Sequence, residues 1–203
     1  MYYILSYKKD KNCPSFIDGV IHESFEVGIY DKPMEQDWHY AEPGEKLAKL
    51  PEKLTLVTKD KCYEFDFSTS FGGHIVSERF LSALNGFAKA RWEVSKLSIV
   101  DPKGVEMKSN SYCFIRQRRE DRQTSDVIDF ERSSIQFRKS GEIKSISSLV
   151  IKEGLGLDFF SINETSLLGF VFLSEQAVNE LKNLHLKGMD IVDTEQIGLI
   201  KRA

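Results

Sequence analysis

Two stretches of the chain carry the same ten-residue pattern. Residues 75–84 read IVSERFLSAL and residues 172–181 read FLSEQAVNEL. Each has two apolar residues, then Ser-Glu, then apolar residues at helical spacing. Ser77 matches Ser174, Glu78 matches Glu175, Leu81 matches Val178 and Leu84 matches Leu181, all at an offset of 97 residues. Serine caps a helix because its hydroxyl satisfies an amide of the first turn. A glutamate next to it faces the positive end of the helix dipole. In the first copy Phe80, Leu81, Leu84 and Phe87 form one apolar stripe, and Asn85-Gly86 ends it. Each copy runs on into a strand-like segment, 91–97 in the first and 189–192 in the second. Ser-Glu is also a common helix start, so the match rests on the whole unit rather than on the cap. The pattern predicts strand, serine-capped helix, strand, twice over. Strand signals on both sides of each helix predict that its apolar stripe lies on a sheet, which points to the class α+β.

Strand signals dominate the remainder. Residues 1–7, 54–58, 62–68, 91–100, 111–119, 126–131, 134–138, 147–152, 169–173 and 189–193 all read as strands. DPKG at 101–104 is a turn, and Gly154 and Gly156 mark a loop. Residues 11–53 hold Pro14, Pro33, Pro43 and Pro51 together with Gly19, Gly28 and Gly44. That density of breakers predicts loops, short strands near 25–30 and a short helix near 44–50. The expectation is an α+β fold of mostly antiparallel sheet with two or three packed helices and a repeated strand-helix-strand element. Gly72-Gly73 is the best candidate joint. It would divide the 203 residues into a β-rich part, 1–72, and an α+β domain, 73–203, unless the whole is a single domain.

Charge narrows the function classes. With 28 basic and 31 acidic residues, a net charge of −3 argues against a strongly basic nucleic-acid binder. No run of about 18 apolar residues predicts a membrane span. The start, MYYILSYKKDKNC, carries no secretory pattern, which suggests a cytoplasmic protein. Cys13, Cys62 and Cys113 are odd in number and far apart, as expected of free thiols in a reducing compartment. The near-neutral total hides two acidic segments. Residues 18–45 hold eight carboxylates against Lys32, and residues 153–195 hold eight against Lys182 and Lys187. Phe25, Tyr30, Trp38 and Tyr40 lie in the first segment. Acids interleaved with aromatics suit a protein interface better than a merely solvated loop.

Catalytic constellations are missing. The sequence contains no HExxH, GxSxG, GxxxxGK[ST] or GxGxxG. His22-Glu23 and Asp37-Trp38-His39 have poor spacing for a metal, so no metal and no cofactor is expected. Cys62 and His74 would form a nucleophile and base only if folding brought them together. Glu78 and Glu175 are a repeat-related carboxylate pair, better explained as first-turn charges. The run FIRQRREDR at 114–122 mixes aromatic and basic residues, but Glu120 and Asp121 interrupt it.

The order of these motifs resembles a superfamily of bacterial immunity proteins, which accompany polymorphic or contact-dependent toxins. The repeated "apolar, apolar, Ser-Glu, amphipathic helix" is one part of that likeness. DVIDFERSSIQF at 126–137 resembles the family's "apolar-Asp-apolar-Glu-x-Ser" segment. MYYILSYKKDKNCP, with Cys13-Pro14, resembles the tyrosine-rich start of one branch. The likeness spans residues 1–14 and 63–193. It implies a cytoplasmic protein that binds and neutralises a cognate toxin domain, without catalysis, membrane contact or direct nucleic-acid contact, as a monomer or homodimer. Charge clustering, independently, selects a candidate partner-binding face: Trp38 and Tyr40 as anchors, with Asp31, Glu35, Asp37 and Glu42 facing a basic cleft. Ser77, Glu78, Ser174 and Glu175 are read as the caps of the repeat. Two other readings stay open at this point: a small cytoplasmic enzyme of unrecognised type, and a nucleic-acid-binding module using Arg116–Arg122.

Overall fold

Both helices begin where the Ser-Glu pairs stand. A computed structural model of the chain describes residues 1–41, 45–88, 90–107 and 110–200. In it, α1 spans Glu78–Ala83 and α2 spans Glu175–Lys182. Ser77 Oγ accepts from the Phe80 amide and Ser174 Oγ from the Ala177 amide, both at 3.2 Å. Each serine satisfies one of the amides that a helix start leaves open.

A six-stranded sheet contains β2 (Gly19–His22), β3 (Lys53–Thr58), β4 (Phe67–Ser70), β5 (Gly73–Ser77), β6 (Glu93–Val100) and β7 (Tyr112–Arg116), in the order β2-β3-β6-β7-β5-β4. Among the described strands of this sheet, β3 and β6 are the parallel pair. A four-stranded antiparallel sheet contains β1 (Tyr2–Tyr7), β10 (Phe159–Phe160), β11 (Phe172–Ser174) and β12 (Met189–Asp193), in the order β10-β11-β1-β12. The hairpin β8 (Ser134–Phe137) and β9 (Ile143–Ser148) forms a sheet of its own.

The echo in the sequence is a repeated module in three dimensions. One row of the six-stranded sheet runs Phe67, Val76, Cys113, Lys96. The corresponding row of the four-stranded sheet runs Phe159, Leu173, Tyr3, Asp193. Val76 to Leu173 and Lys96 to Asp193 keep the 97-residue offset of the two caps. So β4-β5-α1-β6 corresponds to β10-β11-α2-β12. Each helix crosses between two parallel strands that are separated by an antiparallel third. That third strand is β7, after the unit, in one module and β1, before it, in the other. The second module is therefore a circular permutation of the first.

The modules share one core. Val76, Cys113 and Ile115 of one sheet, Leu5 and Leu173 of the other, and Phe80, Leu84, Val178 and Leu181 of the helices form a single buried cluster. The opposite face of the six-stranded sheet, with Ile75, Phe114 and Leu56, is covered by Ile17, Trp38 and Leu50. The opposite face of the four-stranded sheet, with Ile4 and Phe172, is covered by Ile128 and Leu149. Burial of this kind stabilises by about 25 cal/mol per Å² of apolar area, which makes these three clusters the main source of stability.

Several local expectations are corrected. The short strand near 25–30 is a 3-10 turn at Ile29–Asp31, entered through Gly28 at φ +82°. No helix forms over residues 45–50, and residue 44 lies outside the described residues. The Ala48 amide and carbonyl bond instead to Asp37 and Arg116, far away in sequence. Residues 62–66 are irregular because the Glu64 and Asp66 amides bond to two unrelated segments, at Asn12 and Lys187. The strand expected at 126–131 is replaced by a 3-10 turn at Ser125–Val127, an isolated bridge at Ile128 and a further turn, with adjacent Val127 and Ile128 both buried. The strand expected at 147–152 sits earlier, as β9. Gly72, at φ +72°, is in the β4–β5 hairpin turn. Strands from both sides of it pair in the six-stranded sheet.

Candidate partner-binding face

The first acidic segment wraps the β2 edge of the six-stranded sheet, with Ile29 packed on one face and Trp38 on the other. Gly28 turns the chain into Ile29, which is buried against Val57 and Val100. Tyr30 donates its phenol proton to Asp18, and the Lys59 ammonium lies 4.1 Å from its ring centroid. Met34 sulfur accepts from the Ile21 amide at 3.3 Å. The Gln36 side-chain nitrogen lies 2.6 Å from His22 Nδ1. These contacts fix the segment along β2.

Arg116 locks the far end. Its guanidinium donates to the carbonyl of Trp38 and, at 2.9 Å, to that of Ala48. The Ala48 amide closes the same loop by donating to Asp37 O at 3.0 Å. Arg116 is only 4% exposed, and Glu93 Oε2 on the neighbouring strand accepts from its Nη2 at 2.5 Å. The other oxygen, Oε1, accepts from Arg118 Nε at 2.8 Å and Nη2 at 2.5 Å. Burial raises the Glu93 pKa, but the hydrogen bonds from Arg118 and Arg116 outweigh it and hold the carboxyl below its ordinary value. Two cations on one carboxylate leave a spare positive charge, and the loop carbonyls of Trp38 and Ala48 face it.

The six candidate residues divide. Asp31, Glu35 and Asp37 are exposed, and none of them has an ion pair among the described residues. Tyr40 is 58% exposed. Trp38 is 3% exposed and packs edge-on against Phe114 at 6.4 Å, so its role as a surface anchor is corrected: it roots the loop in the core. Glu42 lies outside the described residues. The cap residues Ser77, Glu78, Ser174 and Glu175 all stand at helix starts, and both glutamates are exposed. In the second acidic segment Glu153, Asp158 and Glu175 line one shallow groove of about 500 Å³ beside the start of α2.

The other constellations are placed as follows. Arg116 and Arg118 are committed to Glu93, so they do not form a basic surface with Arg119 and Arg122. His74 is buried between Phe67 and Trp92, at 5.0 and 5.7 Å, with Nδ1 3.0 Å from Thr69 Oγ1 rather than on Cys62. Among the described residues no group of three His, Cys, Asp or Glu side chains is placed to hold a metal. No helix among them is long and apolar enough to cross a membrane. Nothing local in the sequence announces the clamp from Arg116. Its only sequence signal is an arginine in a strand that also holds Tyr112, Phe114 and Ile115.

A family model described as Immunity protein 43 matches residues 6–199. No curated protein matches the chain.

Proposed function

The chain belongs to the Immunity protein 43 family, and from that premise we propose that it binds and neutralises a cognate bacterial toxin domain by occluding its active site or cleft. It acts by stoichiometric binding in the cytoplasm of the producing cell, and its own residues carry no catalytic step. The acidic loop is the contact surface. Asp31, Glu35 and Asp37 supply negative charge, and Tyr40 is the exposed aromatic anchor. A basic cleft that ordinarily receives a phosphate backbone is the complementary shape and charge.

One observation carries this assignment: among the described residues Asp31, Glu35 and Asp37 have no ion pairs, while the loop that presents them is held at its base by a buried guanidinium. Solvated, unpaired charges accelerate encounter with an oppositely charged partner. A loop fixed before binding loses less conformational entropy on association. Trp38 contributes from beneath by anchoring the loop rather than by touching the partner.

The test is growth rescue. The neighbouring gene is sequenced first, and the C-terminal domain of its product is expressed with wild-type protein or with the triple variant Asp31→Lys, Glu35→Lys, Asp37→Lys. Wild type restores growth and the triple variant does not. Equal rescue by both would remove this face from the contact.

A further inference from the structure

A recess of about 310 Å³ opens where the two modules meet, away from the acidic loop. Thr69 and His74 line it from the first module, Ser161 and Gly169 from the second, and Gln117 and Arg122 from the segment after β7. Gln117 ties the modules together: its Oε1 accepts from the Ser161 amide at 2.7 Å and its Nε2 donates to Asp121 O at 3.0 Å. The wall is therefore held in place without help from a ligand.

Arg122 differs from the arginines that pair with carboxylates. Arg79 pairs with Asp66, and Arg116 and Arg118 pair with Glu93. Arg122 has no carboxylate partner among the described residues, and its buried Nε has no hydrogen-bond partner. Burial first, and then the charges of Arg116 and Arg119, lower the pKa of Arg122. His74 does not add to this charge. Burial, and then the Arg122 charge, lower its pKa to about 3, leaving a neutral ring in the wall at pH 7. The Nε–H is closed off from solvent, so it marks an uncompensated buried donor rather than the ligand's own contact, which falls to the part of the guanidinium that lines the recess.

We propose that this recess binds a small oxyanion, a carboxylate or phosphate group, on the Arg122 guanidinium, with Thr69, His74 and Ser161 as a neutral polar wall. A planar guanidinium matches both groups through parallel hydrogen bonds. The volume lies at the lower end of ligand sites, about 300–1,000 Å³, and suits a small molecule or one acidic side chain. The site is independent of the toxin-binding reading and goes beyond it.

The experiment follows the Arg122 Nε–H and Ser161 amide NMR signals during titration with sodium phosphate, with sodium glutarate and, as control, with sodium chloride at matched ionic strength. The expected result is a saturable shift of both signals with at least one oxyanion and none with chloride. Stronger binding of phosphate assigns the site to a phosphate ligand. Stronger binding of glutarate assigns it to a carboxylate, whether free or on a protein side chain. Arg122→Lys keeps the charge and loses the fork, and it should weaken binding about tenfold. Arg122→Met should abolish the Ser161 response while keeping the wild-type spectrum elsewhere. The absence of a saturable shift, an equal response to chloride, or a full Ser161 response in Arg122→Met would each overturn the proposal.

Discussion

The Ser77 hydroxyl donates to Asp66 Oδ1 at 2.6 Å in a buried contact, so one side chain both caps α1 and satisfies a carboxylate with no exposed surface. The second module repeats it: Ser174 donates to Asp158, and the backbone bonds Ser77 N to Asp66 O and Ser174 N to Asp158 O recur at 3.0 and 3.1 Å. Asp158 is partly exposed, so water can replace its lost partner and cannot replace that of Asp66. Ser77→Ala should therefore cost about 2–3 kcal/mol, a lost cap plus a lost bond to a buried charge. Ser174→Ala should cost about 1 kcal/mol, close to the cap alone. Urea denaturation of the two variants checks the order.

Removing the clamp should cost more than removing a surface pair. Arg116→Met leaves Glu93, whose side chain is 11% exposed, with Arg118 alone and frees the carbonyls of Trp38 and Ala48. A loss of about 3–5 kcal/mol is expected for breaking a buried pair on one side. Limited proteolysis should then cut between residues 38 and 48 while the sheets stay protected. For contrast, the exposed pair Lys32–Glu26 should contribute about 0–1 kcal/mol.

Acid should destabilise the protein in two stages. Burial lowers the pKa of His74 to about 3, and burial also lowers those of His22 and His39, with Lys32 and Arg116 adding to the effect. The unfolded chain takes up these protons near its ordinary imidazole pKa of about 6.5, while the folded chain does not, so stability falls as pH drops below that value. The second stage comes from Asp66. Burial opposes ionisation, but the bonds from Arg79, Ser77 and the Lys187 amide prevail and hold its pKa low. The unfolded carboxyl protonates first, so that contribution is lost below about pH 4. His74→Phe should remove one group's share of the first slope, about 1.4 kcal/mol per pH unit, while leaving the Asp66 stage intact. Urea midpoints measured from pH 7 to 3 read both stages.

Trp38 and Tyr40 should separate packing from contact. Trp38→Ala empties a core position and should cost about 3–5 kcal/mol of stability. Tyr40→Ala, at an exposed position, should change stability by less than about 0.5 kcal/mol and act on partner binding alone. Thermal unfolding of the two variants distinguishes the roles.

What the sequence made legible was local. Ser77 and Ser174 announce their helices because a cap and an apolar stripe act within a few residues. The permutation was hidden, since β1, the central strand of the second module, lies at the opposite end of the chain from α2. The clamp was hidden for the same reason: Arg116 reaches Glu93 across 23 residues, Ala48 across 68 and Trp38 across 78. Read one-dimensionally, Arg116 belongs to a basic run and Trp38 to an acidic surface. Only tertiary pairing shows that the first is committed to Glu93 and two loop carbonyls and the second is buried.

The central claim is that charges on a pre-fixed loop bind the toxin domain. Isothermal titration calorimetry of that domain against wild-type protein and the Asp31→Lys, Glu35→Lys, Asp37→Lys variant tests it most directly. The expected result is one-to-one binding by wild type, with affinity lost at least a hundredfold, about 2.7 kcal/mol, in a variant of unchanged fold. Equal affinity of the two proteins, or no binding by wild type, would contradict it.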